Sequence, residues 1–163
     1  MTKTGKQIQG DIYRLLRDSA LSQNISGKVY RRGKRPRDSK AEDAVVIFTT
    51  ADAEQIQTGV VTINIFVPDY DFDNNGVLSE DTKRTEELEI LAQSWVESLT
   101  ADRSCYKFSL QRAITTDSDE TIHQHFVVIP LRFALFDDEP RQALTTPQNP
   151  DNGGSSAVEP VIS

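Results

Sequence analysis

The stretch from Gln57 to Leu99 constrains this chain most: a strand, an Asp/Asn/Gly loop and a long amphipathic helix in succession. In Gln57–Val67 (QTGVVTINIFV), Val61, Ile63, Ile65 and Val67 alternate with Thr62 and Asn64, the period of a strand with one buried face. Val60 and Phe66 are apolar on the opposite side, so the pattern predicts a central strand. Pro68 ends it, having no N–H to give to a ladder. The loop Asp69–Leu78 follows, and Ser79-Glu80-Asp81 reads as an N-cap with two acids in the first turn, where they suit the helix dipole. Leu88, Leu91, Trp95 and Leu99, with Ala92 and Val96 beside them, recur at helical spacing. Lys83, Arg84, Glu86, Glu87 and Glu89 fall on the solvated side. The strand face and the helix stripe are expected to pack on each other.

The rest of the chain supplies further elements around this unit. Ile8, Ile12, Leu15 and Leu16 form an apolar stripe that predicts a first helix near Lys6–Ala20, broken by Asn24-Ile25-Ser26-Gly27. Lys28–Arg31 reads as a short edge strand and Arg32–Lys40 as an exposed basic loop. Ala44–Thr50 (AVVIFTT) is a buried-type strand that a turn at Ala51–Gln55 pairs with Gln57–Val67. Beyond the long helix and a connector at Thr100–Ser104, Cys105–Ile114 alternates as a strand. Thr115–Glu120 reads as a polar hairpin tip, and Thr121–Phe136 as a last long strand. Pro130 in its middle argues for an edge position or a bulge. From Asp137 the composition turns to Asp, Pro, Asn, Gly and Ser without periodicity, the mark of a flexible polar tail at 137–163. The expectation is therefore one α+β domain over residues 1–136, ordered α-β-β-β-α-β-β. Its sheet has about five largely antiparallel strands, with two helices packed on one face. Apolar residues on the other face, Val60 and Phe66 among them, then need a cover from a partner.

Charge is distributed unevenly, and this says more than the total of −7. Lys28 to Lys40 holds seven bases against one acid, Asp38, a local balance of +6, whereas the other 150 residues carry 11 bases and 24 acids. A basic loop on an acidic body can meet the acidic face of a second copy, so Arg31, Arg32, Lys34, Arg35 and Arg37 are candidate interface residues, with Glu86, Glu87 and Glu89 as candidate acidic partners. The same loop could also neutralise nucleic-acid phosphates. Only Tyr30 is at hand there to stack a base, and the acidic remainder repels a polyanion. Hydrophobic residues at 37% and charged ones at 26% describe a polar globular chain, with no run approaching the roughly 20 apolar residues of a membrane span. The start, MTKTGKQIQGD, lacks the apolar core of a secretory signal, and one cysteine, Cys105, excludes an internal disulfide, so cytoplasmic synthesis is expected.

Two motifs invite chemistry. Asp71-Phe72-Asp73-Asn74-Asn75-Gly76-Val77-Leu78-Ser79 carries oxygen ligands at EF-hand positions 1, 3, 5 and 9 and glycine at 6. Position 12 is Thr82 in place of a bidentate Glu, however, and a strand enters where a helix should. The competing reading is a tight polar turn over loop 69–80, with Gly76 at positive φ. His123 and His125, two apart on a strand, share a face and could chelate zinc, but Cys105, the nearest candidate third ligand, falls at the far end of that hairpin. No nucleophile elbow or phosphate-cradling glycine loop appears, and no metal, cofactor or catalytic residue is nominated. The chain does not read as an enzyme.

The order of parts is distinctive: an N-terminal helix, a short Val-Tyr strand, a Pro-containing loop, AVVIFTT, VVTINIFV, a long helix and a terminal hairpin ending HFVVIPLRFAL with its Arg132-Phe133 pair. Over about residues 6–136 this resembles the tail-completion and tail-terminator (neck) proteins of long-tailed bacteriophages. The resemblance implies a small α+β virion subunit, assembled in the host cytoplasm, that closes into a ring, commonly a hexamer. Such a ring completes the tail tube and joins it to the head connector, with copies of itself, tail-tube proteins and connector proteins as partners. A nucleic-acid- or calcium-binding accessory module is the alternative.

Overall fold

The computed structural model describes residues 2–99 and 105–136; the expected connector at Thr100–Ser104 and the expected tail at 137–163 lie outside the described residues. The elements are α1 (Gly5–Arg17), α2 (Ala20–Gln23), β1 (Val29–Arg31), β2 (Ala44–Ala51), β3 (Gln57–Pro68), α3 (Thr82–Leu99), β4 (Tyr106–Leu110), β5 (Thr115–Asp119) and β6 (Gln124–Leu135). The strands make one sheet in the order β1-β2-β3-β6-β4, with β5 also paired to β6. Every pairing is antiparallel except that of β1 with β2. This is the α+β architecture that the pattern implies, with β3 at its centre.

Register explains the core. Val46, Ile63 and Ile129 lie side by side across β2, β3 and β6, and Ile65 with Val127 and Val61 with Leu131 repeat the alignment on the same face. Onto this face α1 presses Ile8, Ile12 and Leu16, and α3 presses Leu88, Ala92, Trp95, Val96 and Leu99. Removing this apolar surface from water is the main stabilising term of the fold. Thr4 starts α1 with a capping box: its hydroxyl accepts from Gln7 N, and Gln7 Oε1 accepts from Thr4 N.

Several local expectations are corrected. The first helix does not run unbroken to Ala20. It stops at Arg17, and Ser19 restarts the chain as α2, its hydroxyl donating to Leu16 O at 2.6 Å and accepting from Ser22 N. Ser79 does not cap α3, because its backbone is committed to a two-way bridge with Tyr70. The cap is Asp81, whose Oδ1 accepts from Arg84 N at 3.2 Å and whose carbonyl accepts from Thr85 N. Glu80 therefore stands outside the helix, and its carboxylate accepts from the Thr85 hydroxyl.

The C-terminal hairpin differs most. Thr115–Asp119 is not a tip but a strand, and β4 and β5 lie end to end along one edge of β6. Pro130 accounts for the break. Gln111 N donates to Pro130 O just beyond the end of β4, so the backbone of Pro130 faces this edge, where its missing N–H would otherwise interrupt a ladder. A proline thus sits inside a central strand because the partner on that side is divided.

The far face of the sheet also carries apolar residues. Val45, Val60 and Val128 are only 7–8% exposed, although among the described residues no helix packs on them. Phe66 packs on Phe126 at 5.2 Å between ring centroids, and the Arg35 guanidinium stacks over Phe66 at 4.1 Å. Parallel neighbours need a connection on the order of a dozen residues. Here it is the basic segment between β1 and β2, which folds back over the end of the face. Within the described residues Arg35 and Phe126 cover part of Phe66, which remains half-buried, and Val60 is 8% exposed.

Candidate interaction surface

The basic segment divides into an inner and an outer set. Arg31 turns onto α1, donating from Nε to Gln9 Oε1 at 2.9 Å and from Nη2 to Lys6 O at 2.8 Å. Arg35 turns the other way. Its Nε donates to Asp43 Oδ2 at 2.9 Å, and its Nη2 reaches Gln124 Oε1 at 2.9 Å and the carbonyls of Ser39 and Ala41. Their side chains are 10% and 2% exposed, so Arg35–Asp43 is a buried ion pair. Asp43 also accepts from the Ser39 hydroxyl and from Lys28 N. Burial pushes its carboxyl up, but these hydrogen bonds and the guanidinium outweigh that and hold it below the usual aspartate value. Both guanidinium groups thus make internal hydrogen bonds, Arg35 from a nearly enclosed position and Arg31 from a half-buried one. Arg32, Lys34 and Arg37 remain exposed, with Lys40 beside them.

The acidic set divides as well. Glu89 accepts from the Thr116 hydroxyl at 2.6 Å, which turns that flank of α3 toward β5, and Glu86, three residues earlier, shares the flank and is exposed. Glu87 instead faces Arg84, whose Nη1 donates to Glu87 Oε1 at 3.0 Å. Arg84 does not belong to the solvated side. It forks onto Glu42 at 2.8 and 2.9 Å and donates to Asn24 O, tying the start of α3 to α2 and to the head of β2. Burial pushes the Glu42 carboxyl up, while Arg84 and the Ser26 amide pull it below its ordinary value. Alongside Glu86 and Glu89, β5 and its turn add Asp117, Asp119 and Glu120, which pattern reasoning assigned to a hairpin tip.

The result is a sheet whose β1 edge is basic and whose opposite edge is acidic at its β5 end, while the β4 end of that edge exposes Lys107 and Arg112. At one, β1 and the following segment expose Arg32, Lys34, Arg37 and Lys40; at the other, β5 and the neighbouring flank of α3 present acids. A further feature escaped the sequence reading. Tyr70 and Ser79 pin the loop between β3 and α3 into a narrow projection, on which Tyr70, Phe72, Val77 and Leu78 are all about half exposed or more. Tyr70 and Phe72 meet edge to face at 5.0 Å. Four large apolar side chains on one projection are unusual for a surface left in water. Each looks unremarkable in isolation, and only the bridge gathers them.

The chemical motifs are also placed. Asp71 accepts from Asn75 N and Gly76 N, and Gly76 has φ of 84°, as the polar-turn reading of this loop expects. His123 leaves the strand, sitting in the turn before β6 with φ of 55°, and lines one concavity with His125 and Asp69. His125 Nδ1 lies 2.7 Å from Asp69 Oδ1. Cys105 accepts from Phe136 N at the opposite end of β6. Among the described residues no group of three or more His, Cys, Asp or Glu side chains is arranged to hold a metal ion, and no helix is long and apolar enough to cross a membrane. Compared with known proteins, the sequence matches no family model and no curated protein.

Proposed function

We propose that this chain is a structural virion subunit that associates head to tail with copies of itself into a ring, completing or terminating a phage tail tube and joining it to the head connector. The basic β1 edge and the acidic β5 end of the opposite edge carry this reading. A heterologous contact uses two different patches per subunit, and a ring results when the rotation between neighbours closes. Complementary charge fixes which edge meets which and disfavours like edges meeting. The apolar projection at Tyr70–Leu78 supplies contact area of the kind that a purely charged contact lacks. The element order that resembles tail-completion proteins supports the biological setting. The acidic body disfavours a nucleic-acid role for Arg32, Lys34 and Arg37.

The test is mass by light scattering over a concentration series, at low and at high salt. The native chain is expected to form a discrete closed oligomer. Reversing Arg32, Lys34 and Arg37 to Glu should weaken association by about 100-fold, because like charges brought together cost several kcal/mol. Adding Glu86→Lys and Asp117→Lys to the same chain should restore it in part. A native chain that stays monomeric throughout, or a reversed chain that associates as the native one does, overturns the proposal.

A further inference from the structure

A second cationic site lies on α1, apart from the exposed basic loop. Lys3, Lys6, Arg14 and Arg31 line one concavity around Gly10, with Asp11 the single acid among them. Asp11 is fully engaged. Its Oδ2 accepts from Lys3 Nζ at 2.6 Å and from the Tyr106 hydroxyl at 2.6 Å, and its Oδ1 accepts from Arg14 Nη2 at 2.7 Å. One carboxylate therefore faces four cations, and three positive charges remain without a counterion in the cluster. Among the described residues, Lys6 Nζ, Arg14 Nη1 and Arg31 Nη1 have no hydrogen-bond or ion-pair partner.

Gly10 lies at the floor of this cluster. A glycine inside a helix costs about 1 kcal/mol relative to alanine, so its presence calls for a local reason. A Cβ at this position would meet Arg31 Nη1 at 3.3 Å, slightly tighter than ordinary contact, and Arg14 Nη1 at 3.4 Å, an ordinary one. Both unpaired guanidinium nitrogens thus lie beside one point, separated by no more than twice that distance. Hydrogen bonds from a guanidinium to an oxyanion are about 2.8 Å long, so one compact oxyanion can bridge the pair. Arg31 is held in place by Gln9 and the Lys6 carbonyl, which fixes half of the seat in advance.

We infer that this cradle binds a small multiply charged oxyanion, of which a phosphate compound and a polycarboxylate are the two sources. An extended polyanion is disfavoured by the net charge of −7, whereas a small ligand meets only the local excess of positive charge. The site does not depend on association between copies, since Arg32, Lys34 and Arg37 take no part in it.

Titration calorimetry of the full chain with inorganic pyrophosphate, and separately with citrate, decides the matter. Binding of at least one of them, with a dissociation constant of about 1 mM or below, is expected at low salt. Pyrophosphate alone would assign the seat to phosphate compounds, and binding of citrate would extend it to carboxylates. Lys6→Gln/Arg14→Gln, both at exposed positions, should weaken binding about tenfold or more while the fold is kept. Arg31→Lys, which keeps the charge and loses the fork, should weaken it as well. No heat from either anion, a double variant that titrates like the native chain, or binding of duplex DNA that pyrophosphate cannot displace would each overturn the inference.

Discussion

Asp43→Ala is expected to lower the free energy of unfolding by about 3–5 kcal/mol, the loss seen when one partner of a buried pair is removed. The cost falls mainly on what stays behind. Arg35 would keep its seat on Phe66 with its guanidinium nearly enclosed and without the carboxylate that balances it. Ser39 Oγ and Lys28 N would lose their acceptor, so the segment covering the far face would come loose at both ends. Urea denaturation read by Trp95 fluorescence measures the effect as a lower midpoint. Arg35→Met/Asp43→Asn removes both charges and should cost clearly less than the two single changes summed. A loss under about 1 kcal/mol for Asp43→Ala would mean the pair is worth no more than a surface bridge. Acid gives an independent reading. Because Asp43 titrates lower in the folded chain than its ordinary value of 3.8, its stabilisation is complete above that value. It is lost as pH falls through the lower folded value. Glu42 and Asp11 act in the same direction, each held low against the pull of its own burial. Stability should therefore decline below about pH 4, and the Asp43→Ala chain should show a shallower decline.

Phe133→Ala is the second large effect, at about 3–5 kcal/mol. Phe133 is fully buried on β6, with Phe108 beside it on β4 and Gly59 on β3. Its ring meets Tyr106 edge to face at 6.0 Å. On the Gly59 side the space cannot be closed by a larger residue. A Cβ there would lie 2.2 Å from Thr50 O, at the point where the pairing of β2 with β3 shifts register between Phe48 and Thr50. The void left by alanine would be bounded by backbone that cannot collapse into it. Thermal or urea unfolding checks this, and a loss near 1 kcal/mol would show that the surroundings relax to fill the gap. Tyr106 gives a local probe of the same region: burial first, and then Asp11, push its hydroxyl pKa well above the usual tyrosine value.

What could be read from residues alone follows from which forces are local. The alternation in Val61–Val67 and Val127–Leu135 reports burial of one strand face directly, and Val61, Ile63, Ile65, Val67, Val127, Ile129, Leu131, Phe133 and Leu135 on that face are all buried. The stripe of α3 is legible for the same reason. Arg35 was not legible. A run of Arg and Lys reads as solvated, and its burial depends on Gln124, 89 residues away, and on Phe66 beneath it. The strand at Thr115–Asp119 was hidden because TTDSD has neither apolar period nor strong strand preference; the open edge of β6 imposes its conformation. Ser79 and Asp81 are equally good caps by residue type, and only the bridge to Tyr70 decides between them. Of the candidate contact residues, Arg32, Lys34, Arg37 and Glu86 stand exposed as read. Arg31, Arg35 and Glu87 are drawn into internal pairs, because any acid or carbonyl within reach competes with a partner molecule for the same charge.

β6 pairs with β3 along its whole length, although the two strands are far apart in the chain. The sheet therefore cannot close until residue 135 has been made. A nascent polypeptide that has just left the ribosome as far as α3 holds β2 and β3 as a hairpin with one raw margin, and the apolar side of α3 has little yet to rest on. Such a chain depends on speed or on a chaperone until its last strand arrives, because long-range pairing is slow and exposes sticky intermediates. Truncation upstream of Gln124 should accordingly give inclusion bodies rather than a smaller soluble domain.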